Sequence, residues 1–356
     1  TAKAIPPPTN TAKTAQRLLH SRASPREKKL DYRTYTVMNR SMVSFLKQVK
    51  HRIFMAQRNI RTTRTARSTL GSTEFSGIYS RLTDTFDIPP LPQVQGIWGV
   101  AMVKNEADII ESSLRHLVHQ GVKHILVVDN GSTDGTYALL QQLKEELPLS
   151  VGNDREPAYY QSEKMTWLAH QAQKSGATWV IPFDADEFWY GIDGSLAQAL
   201  EEAKTQVEVA HLYNAFPART GGYVLDTYRH ADSKVCFRSW DNAVLGMGNH
   251  TVLRPGDSGQ TQVAIVHLPW RSQEQLHRKL AQGAKALELT NLPEDLGYHW
   301  RANGQLSSED IECIWDALVE GHAVPDSLSW RPVGKLLPLG ENIPPDFAEV
   351  RALLSI

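Results

Sequence analysis

Residues 97–136 read IWGVAMVKNEADIIESSLRHLVHQGVKHILVVDNGSTDGT, and this stretch decides the fold. IWGVAMV (97–103) is a short apolar run between Gly96 and a polar turn, the pattern of a buried strand. Asn105 is placed to cap a following helix, with Glu106 and Asp108 in its first turn, where the helix dipole favours acids. Ile110, Leu114 and Leu117 give that helix one buried face, and Gly121 ends it. HILVV (124–128) is a second strand. The Gly-rich turn DNGSTDGT (129–136) then leads into a helix with Leu139, Leu140, Leu143 and Leu147 on one side.

The alternation continues outward. Residues 160–174 read as a helix, and TWVIPF (178–183) as a third strand. Strands alternating with helices across short turns predict a parallel sheet covered on both faces, whose ligands sit at the carboxyl ends of the strands. Past residue 205 the pattern changes. EVAHLYNAF (208–216), KVCFRSW (234–240) and QVAIVHL (262–268) read as strands, with no crossover helix between the last two. Helix returns at 272–290 and 308–320, the latter with Ser308 as cap and Gly321 as stop.

Length and composition set the frame. A chain of 356 residues suits one large domain with extensions or two small ones, and 41% hydrophobic with 22% charged residues describes an ordinary globule. No run approaches the roughly 18 apolar residues that span a bilayer, and the first thirty residues lack the apolar core of a secretory signal. Cys236 and Cys313 follow no ligand spacing and point to a reducing compartment, so a cytoplasmic location is expected.

The net charge of −1 conceals an asymmetry. Residues 1–70 hold 16 Lys and Arg against two acids, and the remainder holds 22 against 37. Within the basic arm, Met38, Met42, Phe45, Val49, Ile53 and Ile60 recur at helical steps over residues 36–60, with Lys47, Lys50, Arg52 and Arg58 between them. This reads as a basic amphipathic helix suited to an anionic membrane surface, which would place the chain on the inner face of the membrane. The same stripe also suits packing on the acidic body or pairing with a second copy in a homo-oligomer. The arm's few aromatics argue against nucleic acid as its partner. The expected division is a basic arm over 1–70, a linker over 71–96 ending in IPPLPQVQG, a catalytic domain over 97–300 and a helical extension over 301–356.

The sharpest chemical feature is Phe183-Asp184-Ala185-Asp186-Glu187-Phe188-Trp189. Two carboxylates leaving an apolar strand together are costly to bury unless a cation neutralises them, and such an oxygen-rich site suits magnesium or manganese. The plainer reading is a solvated acidic turn, against which the flanking apolar residues argue. Val103-Lys104-Asn105-Glu106 and the turn starting at Asp129 stand where a parallel sheet binds nucleotides. There is no GxGxxG and no GxxxxGK[ST], so neither a dinucleotide nor a Walker phosphate loop is indicated.

MVKNEADIIESSLRHLVHQGVKHILVVDNGSTDGT followed by WVIPFDADEFW resembles glycosyltransferase family 2, in its branch with KNE and DxDEF motifs. The resemblance covers about residues 97–300. It implies a GT-A fold: a Rossmann-like, mostly parallel sheet with helices on both faces, here with a basic helical N-terminal extension and a helical C-terminal region. It further implies a nucleotide-diphosphate sugar donor, a glycan or glycolipid hydroxyl as acceptor, inversion at the anomeric carbon, and a role in surface polysaccharide or glycolipid synthesis. Carried over by position, Lys104, Asn105, Glu106 and Asp129 would line the nucleotide pocket. Asp184 and Asp186 match the DxD pair, and His267 matches a later metal ligand. Arg271, Lys279 and Lys285 are candidates to hold the diphosphate. The acidic pair that usually supplies the inverting base is missing from RSWDNAVLGMGNHTVLRPGD (238–257), which leaves Asp241 first and His250 second. The same gap keeps a second reading open, a non-catalytic module of this fold that binds nucleotide sugar or glycan.

Overall fold

In the computed structural model, residues 32–259, 262–293 and 297–354 are described. Met55–Ile356 form one compact unit, and residues 32–54 belong to another. The helices are α1 (Tyr32–Leu70), α2 (Thr73–Thr85), α3 (Ile110–His119), α4 (Thr136–Leu143), α5 (Gln161–Lys174), α6 (Leu196–Glu202), α7 (Gln273–Glu288), α8 (Tyr298–Asn303), α9 (Ser308–Glu320) and α10 (Phe347–Leu354). The longer strands are β1 (Phe86–Asp87), β2 (Gly96–Val103), β3 (His124–Asp129), β4 (Leu149–Asp154), β5 (Ala177–Pro182), β6 (Glu187–Gly191), β7 (Val207–Pro217), β8 (Tyr223–Arg229) and β9 (Lys234–Arg238). Further strands are β10 (Val244–Leu245), β11 (Val252–Leu253), β12 (Ser258–Gly259), β13 (Val263–His267) and β14 (Leu336–Leu339).

The main sheet runs β1-β4-β3-β2-β5-β9-β7-β13-β6. Its first half is the expected parallel core: β4, β3, β2 and β5 all run the same way. Every residue of β3 is buried, as a strand covered on both faces requires. Beyond β5 the sheet turns mixed. β9 enters antiparallel between β5 and β7, β13 runs parallel to β7, and β6 closes the edge antiparallel to β13. The fold is thus α/β of GT-A type with a mostly parallel centre.

That second half carries long-range information. The β13–β6 register sets His267 opposite Glu187, and the β13–β7 register sets His267 opposite Asn214. A histidine read in one segment is thereby brought to the acidic turn of another.

Two expected boundaries change. The stretch 71–96 is more than a linker, because α2 occupies its first half. Ser72 caps α2 through its hydroxyl, and Phe75, Ile78 and Leu82 bury one face of the helix. Tyr79 of α2 lies 2.7 Å from His170 on α5. The signal was short and interrupted by Gly77, so residue periodicity alone reads it as a break. The segment after residue 300 is also not a separate helical extension. β14 pairs with β8, and Ile311, Ile314 and Leu318 of α9 share a core with Phe216, Trp270 and Leu280.

The helix expected over 36–60 is part of the longer α1. The side chains of Met38, Met42 and Phe45 lie outside the described residues. Of the rest of the stripe, Ile53 and Ile60 are exposed, as is Phe54 beside them.

Candidate functional site

The turns after β2 and β3 are built from side chains that bond the neighbouring backbone. Asn105 takes a left-handed conformation (φ 56°), which asparagine tolerates better than most residues. Its Oδ1 accepts from Thr133 N at 2.7 Å, and its own N donates to Ser132 Oγ at 2.8 Å. Glu106 N donates to Thr136 Oγ1 (2.8 Å), and Ala107 N to Asp134 Oδ2 (3.1 Å). Asp129 Oδ2 accepts from Ser132 N at 2.9 Å. Its other oxygen, Oδ1, is buried and has no hydrogen-bond partner. Asp129 lines a depression together with Lys104, Asn130, Gly131, Asn153 and Arg155.

Asn130 is fixed from below. Its Nδ2 donates to Asp154 Oδ2 and to the Glu156 carbonyl, both at 2.8 Å. Asp154 in turn holds Lys164 at 2.6 Å in an ion pair with no solvent exposure on either side. Burial pushes the Asp154 carboxyl up and the Lys164 ammonium down, while each partner opposes the other's shift.

Next to this depression lies a cavity of about 170 Å³. It is lined by Lys104, Glu106 and Asn130 from the first turns, Tyr159 and Gln161 before and at the start of α5, and Asp184 and Asp186 after β5. His267 joins from β13, and Lys279, Gln282, Gly283, Ala286 and Trp300 roof it from α7 and α8. The roof is closely fitted. A Cβ at Gly283 would stand 2.6 Å from the Trp300 ring, so only glycine lets α8 rest on α7 there. The Tyr159 amide ties α7 down by donating to the Ala286 carbonyl at 3.1 Å.

The two DxD carboxylates have separate partners. Asp184 turns to Lys234, whose Nζ is 2.6 Å from Asp184 Oδ2 and 2.9 Å from Glu187 Oε1. Burial works against the Lys234 ammonium, yet Asp184 and Glu187 hold it charged, above the usual lysine range. Glu187 is wholly buried, and burial pushes its carboxyl up to about 7 despite Lys234. Asp186 is buried as well. Desolvation would raise it, but Lys279, His267 and Arg271 hold it well below the usual carboxylate range. Lys279 Nζ hydrogen-bonds Asp186 Oδ2, and His267 Nε2 stands 3.5 Å from the same atom. His267 Nδ1 is 2.9 Å from Asn214 Oδ1.

Lys104, Asp184, Asp186, His267 and Lys279 thus line one cavity, and Asp129 lines the neighbouring depression. Three assignments change. Arg271 is spent on acids of its own chain: Nη2 lies 2.5 Å from Glu106 and Nε 2.6 Å from Asp108. It pins the first turn to the end of β13, so it is not free to hold a diphosphate, while Glu106 lines the cavity. Lys285 is exposed and stands outside the cavity lining. Asp241 lies at the wrong end of α5. It accepts from Gln173 at 2.9 Å, and the helix rises about 18 Å between Gln161 at the cavity and Gln173. Asn105 lies at the site as expected, but its role is to join the two turns.

His250 sits closer to the chemistry. The loop that carries it also sends Asn249 to within 3.5 Å of Asp184 Oδ1. His250 Nδ1 bonds the Ser233 carbonyl at 2.9 Å, so Nδ1 carries the proton and Nε2 is left as an acceptor. Burial, then Lys234, pushes its pKa down and keeps the ring neutral. Sequence reasoning missed Lys234, Asn214, Tyr159, Gln161 and Trp300. A signal existed only for Lys234, a lone cation opening an apolar strand.

No curated protein sequence matches the chain. Among solved structures it is similar to S. aureus TarS 1–349 in complex with UDP, at 13% identity and a TM-score of 0.34, over 59% of this chain and 70% of that one. The same TarS fragment in complex with UDP-GlcNAc gives 12% and 0.34, over 59% and 71%. A putative glucose-1-phosphate thymidylyltransferase from Bacillus anthracis in complex with a sucrose gives 9% and 0.24, over 72% and 95%. The family description Glycosyl transferase family 2 matches residues 100–245, the span that contains both turns and the DxDEF segment. Over that span the chain is similar to glycosyl transferase family 2, which supports a glycosyltransferase activity.

Proposed function

We propose that the chain transfers a sugar from a nucleotide-diphosphate sugar to a hydroxyl of a glycan or glycolipid, with inversion. The observation that carries this reading is the single cavity that gathers Lys104, Asp184, Asp186, His267 and Lys279 from separate segments at the carboxyl ends of the strands. Asp129 Oδ1, buried and unpartnered beside it, would accept a hydrogen bond from the base or ribose. An orphaned acceptor of this kind costs free energy until a ligand satisfies it. Lys104 donates to the Asn130 carbonyl at 2.9 Å, which aims its ammonium along the cavity mouth. With Lys279 it would hold the diphosphate.

The donor set at Asp186 and His267 fits a divalent cation. With Nδ1 bonded to Asn214 Oδ1, Nε2 faces Asp186 Oδ2 at 3.5 Å, and a divalent cation would take both atoms as ligands. Among the described residues no three His, Cys, Asp or Glu side chains are grouped to hold a metal alone. Magnesium or manganese would take its remaining ligands from phosphate and water. Asp184, bonded to Lys234, would stand behind the first ligands. Bound there, the ion would supply charge stabilisation at the leaving diphosphate. His250 Nε2 would take the acceptor proton, and Trp300 with Gly283 would keep water from the reacting carbon.

Residues 32–70 carry nine Lys and Arg and no acid. Ile53, Phe54 and Ile60 are exposed among them. Cations beside exposed apolar side chains suit an anionic lipid surface, and about 1 kcal/mol per cation suffices for reversible docking. No described helix is long and apolar enough to cross a membrane. Flotation with phosphatidylglycerol vesicles at low salt checks this part, and a protein that stays at the bottom of the gradient removes it.

The donor is checked by thermal shift with UDP-, GDP-, dTDP- and CMP-sugars plus manganese. A ligand at about 100 times its dissociation constant adds about 2.7 kcal/mol to folded-state stability. One diphosphate sugar should stabilise the protein and lose that effect in Asp129→Ala. If none does, the donor reading fails.

A further inference from the structure

Asp186 Oδ2 is the most contested atom of the site. Lys279 Nζ hydrogen-bonds it, while His267 Nε2 and Arg271 Nη1 each stand 3.5 Å away. The Asp186 side chain is only 2% exposed, so its charge requires a cation nearby. Arg271 is not free to be that cation, because its fork is spent on Glu106, Asp108 and the Leu268 carbonyl. His267 Nδ1 is engaged by Asn214 Oδ1, and its Nε2 stands 3.5 Å off. The counter-ion is Lys279.

Lys279 is also the cation best able to leave. Its side chain keeps 21% of its exposure, it faces the cavity from α7, and Asp186 is its one ion-pair partner among the described residues. Its ammonium stands 5.8 Å from the ring centres of both Trp270 and Trp330, which favour a cation along its path. An ion bound by Asp186 Oδ2 and His267 Nε2 would compete with this ammonium for Asp186 Oδ2.

We propose that Lys279 is a placeholder cation, neutralising Asp186 while the site is empty and passing to the donor's diphosphate when a divalent ion takes its place between Asp186 and His267. Charge balance makes the exchange cooperative. Asp186 and Lys279 together are neutral. A divalent ion alone would leave the pocket too positive, and a diphosphate alone too negative, whereas both together restore the balance. The proposal rests on the donor and metal reading above, and it adds that each ligand requires the other.

The test is manganese binding to the full chain, followed by the paramagnetic resonance of free Mn²⁺, first without nucleotide. Lys279→Gln keeps an N–H for Asp186 but removes the charge. It should bind Mn²⁺ about tenfold tighter than the unaltered protein, because one competing cation is gone. Lys279→Arg, which keeps the charge, should bind as weakly as the unaltered protein, and Lys279→Met repeats the charge removal should the Gln variant fail to fold. Asp186→Asn should lose the binding in every background. Adding UDP should strengthen Mn²⁺ binding to the unaltered protein more than to Lys279→Gln, since the coupling is reciprocal. Equal or weaker Mn²⁺ binding in both charge-removing variants, with Asp186→Asn still inactive in binding, overturns the placeholder and leaves the metal site standing. Undiminished Mn²⁺ binding by Asp186→Asn overturns the metal reading, and the proposal with it.

Discussion

The turns after β2 and β3 face the carboxylate cluster around Asp186 across one cavity, and the two sides are fixed by opposite means. On the first side, Asn105, Ser132, Asp134 and Thr136 bond the backbone of the neighbouring turn at 2.7–3.1 Å. On the second, Lys234, Lys279 and Arg271 bond carboxylates of Asp184, Glu187, Asp186, Glu106 and Asp108. A backbone partner does not change with ligand or pH, but a charge can exchange partners. The first side is therefore a fixed frame, and the second can respond to charge brought into the cavity.

The comparison is tested most severely at Lys234. Its side chain is 3% exposed and serves two carboxylates, one of them fully buried. Lys234→Met should cost about 3–5 kcal/mol in urea unfolding, because it leaves buried acids uncompensated. A loss below about 1 kcal/mol would mean that this side is not held by charge. Acid offers a second route. His116 is buried against the Trp189 carbonyl, and burial pushes its pKa down to about 4 from 6.5. The unfolded chain therefore takes up a proton first as pH falls. His116 contributes nothing unfavourable above pH 6.5 and about 3 kcal/mol of destabilisation by pH 4. His116→Gln should flatten the fall in unfolding free energy between those limits, and an unchanged slope would contradict the buried neutral ring.

His250→Gln should keep donor binding and lose about 10²-fold in turnover, equivalent to about 2.7 kcal/mol. Turnover near that of the unaltered enzyme would place the base elsewhere. The smallest effect is expected on the fixed side. Asn105→Ala puts a residue with no polar side chain in a left-handed conformation and breaks the bond to Thr133, and should cost about 1–2 kcal/mol. Asn105→Gly keeps the backbone freedom and should recover part of that loss. A larger cost for Asn105 than for Lys234 would reverse the ranking of the two sides.

The fixed side was the more legible in sequence. Its strands, helices and turns are contiguous, so hydrophobic period and capping residues suffice to read them from Ile97 to Thr136. The DxD pair and His267 were also legible, as residue types in a known order. What could not be read was partnership. Whether Arg271 faces a ligand or Glu106 depends on how β13 meets the first turn, a contact across 165 positions. Asp241 had the right chemistry and failed only because α5 carries it away from the cavity. Nothing local to Lys234 shows that β9 lies inside the sheet between β5 and β7. Charge pairing across distant segments leaves no local period, so it enters only with topology.

The contact of Trp300 with Gly283 has a consequence for engineering. The floor of the cavity, from the first turn to Asp186, lies within the family-matched span 100–245, whereas the helices that carry this contact come after it. Floor and cover are thus separate stretches of chain, and the cover is an exchangeable part. Small side chains in place of Trp300, or a transplanted α7–α8 segment that keeps Lys279, should alter which sugars are accommodated without rebuilding the machinery beneath them.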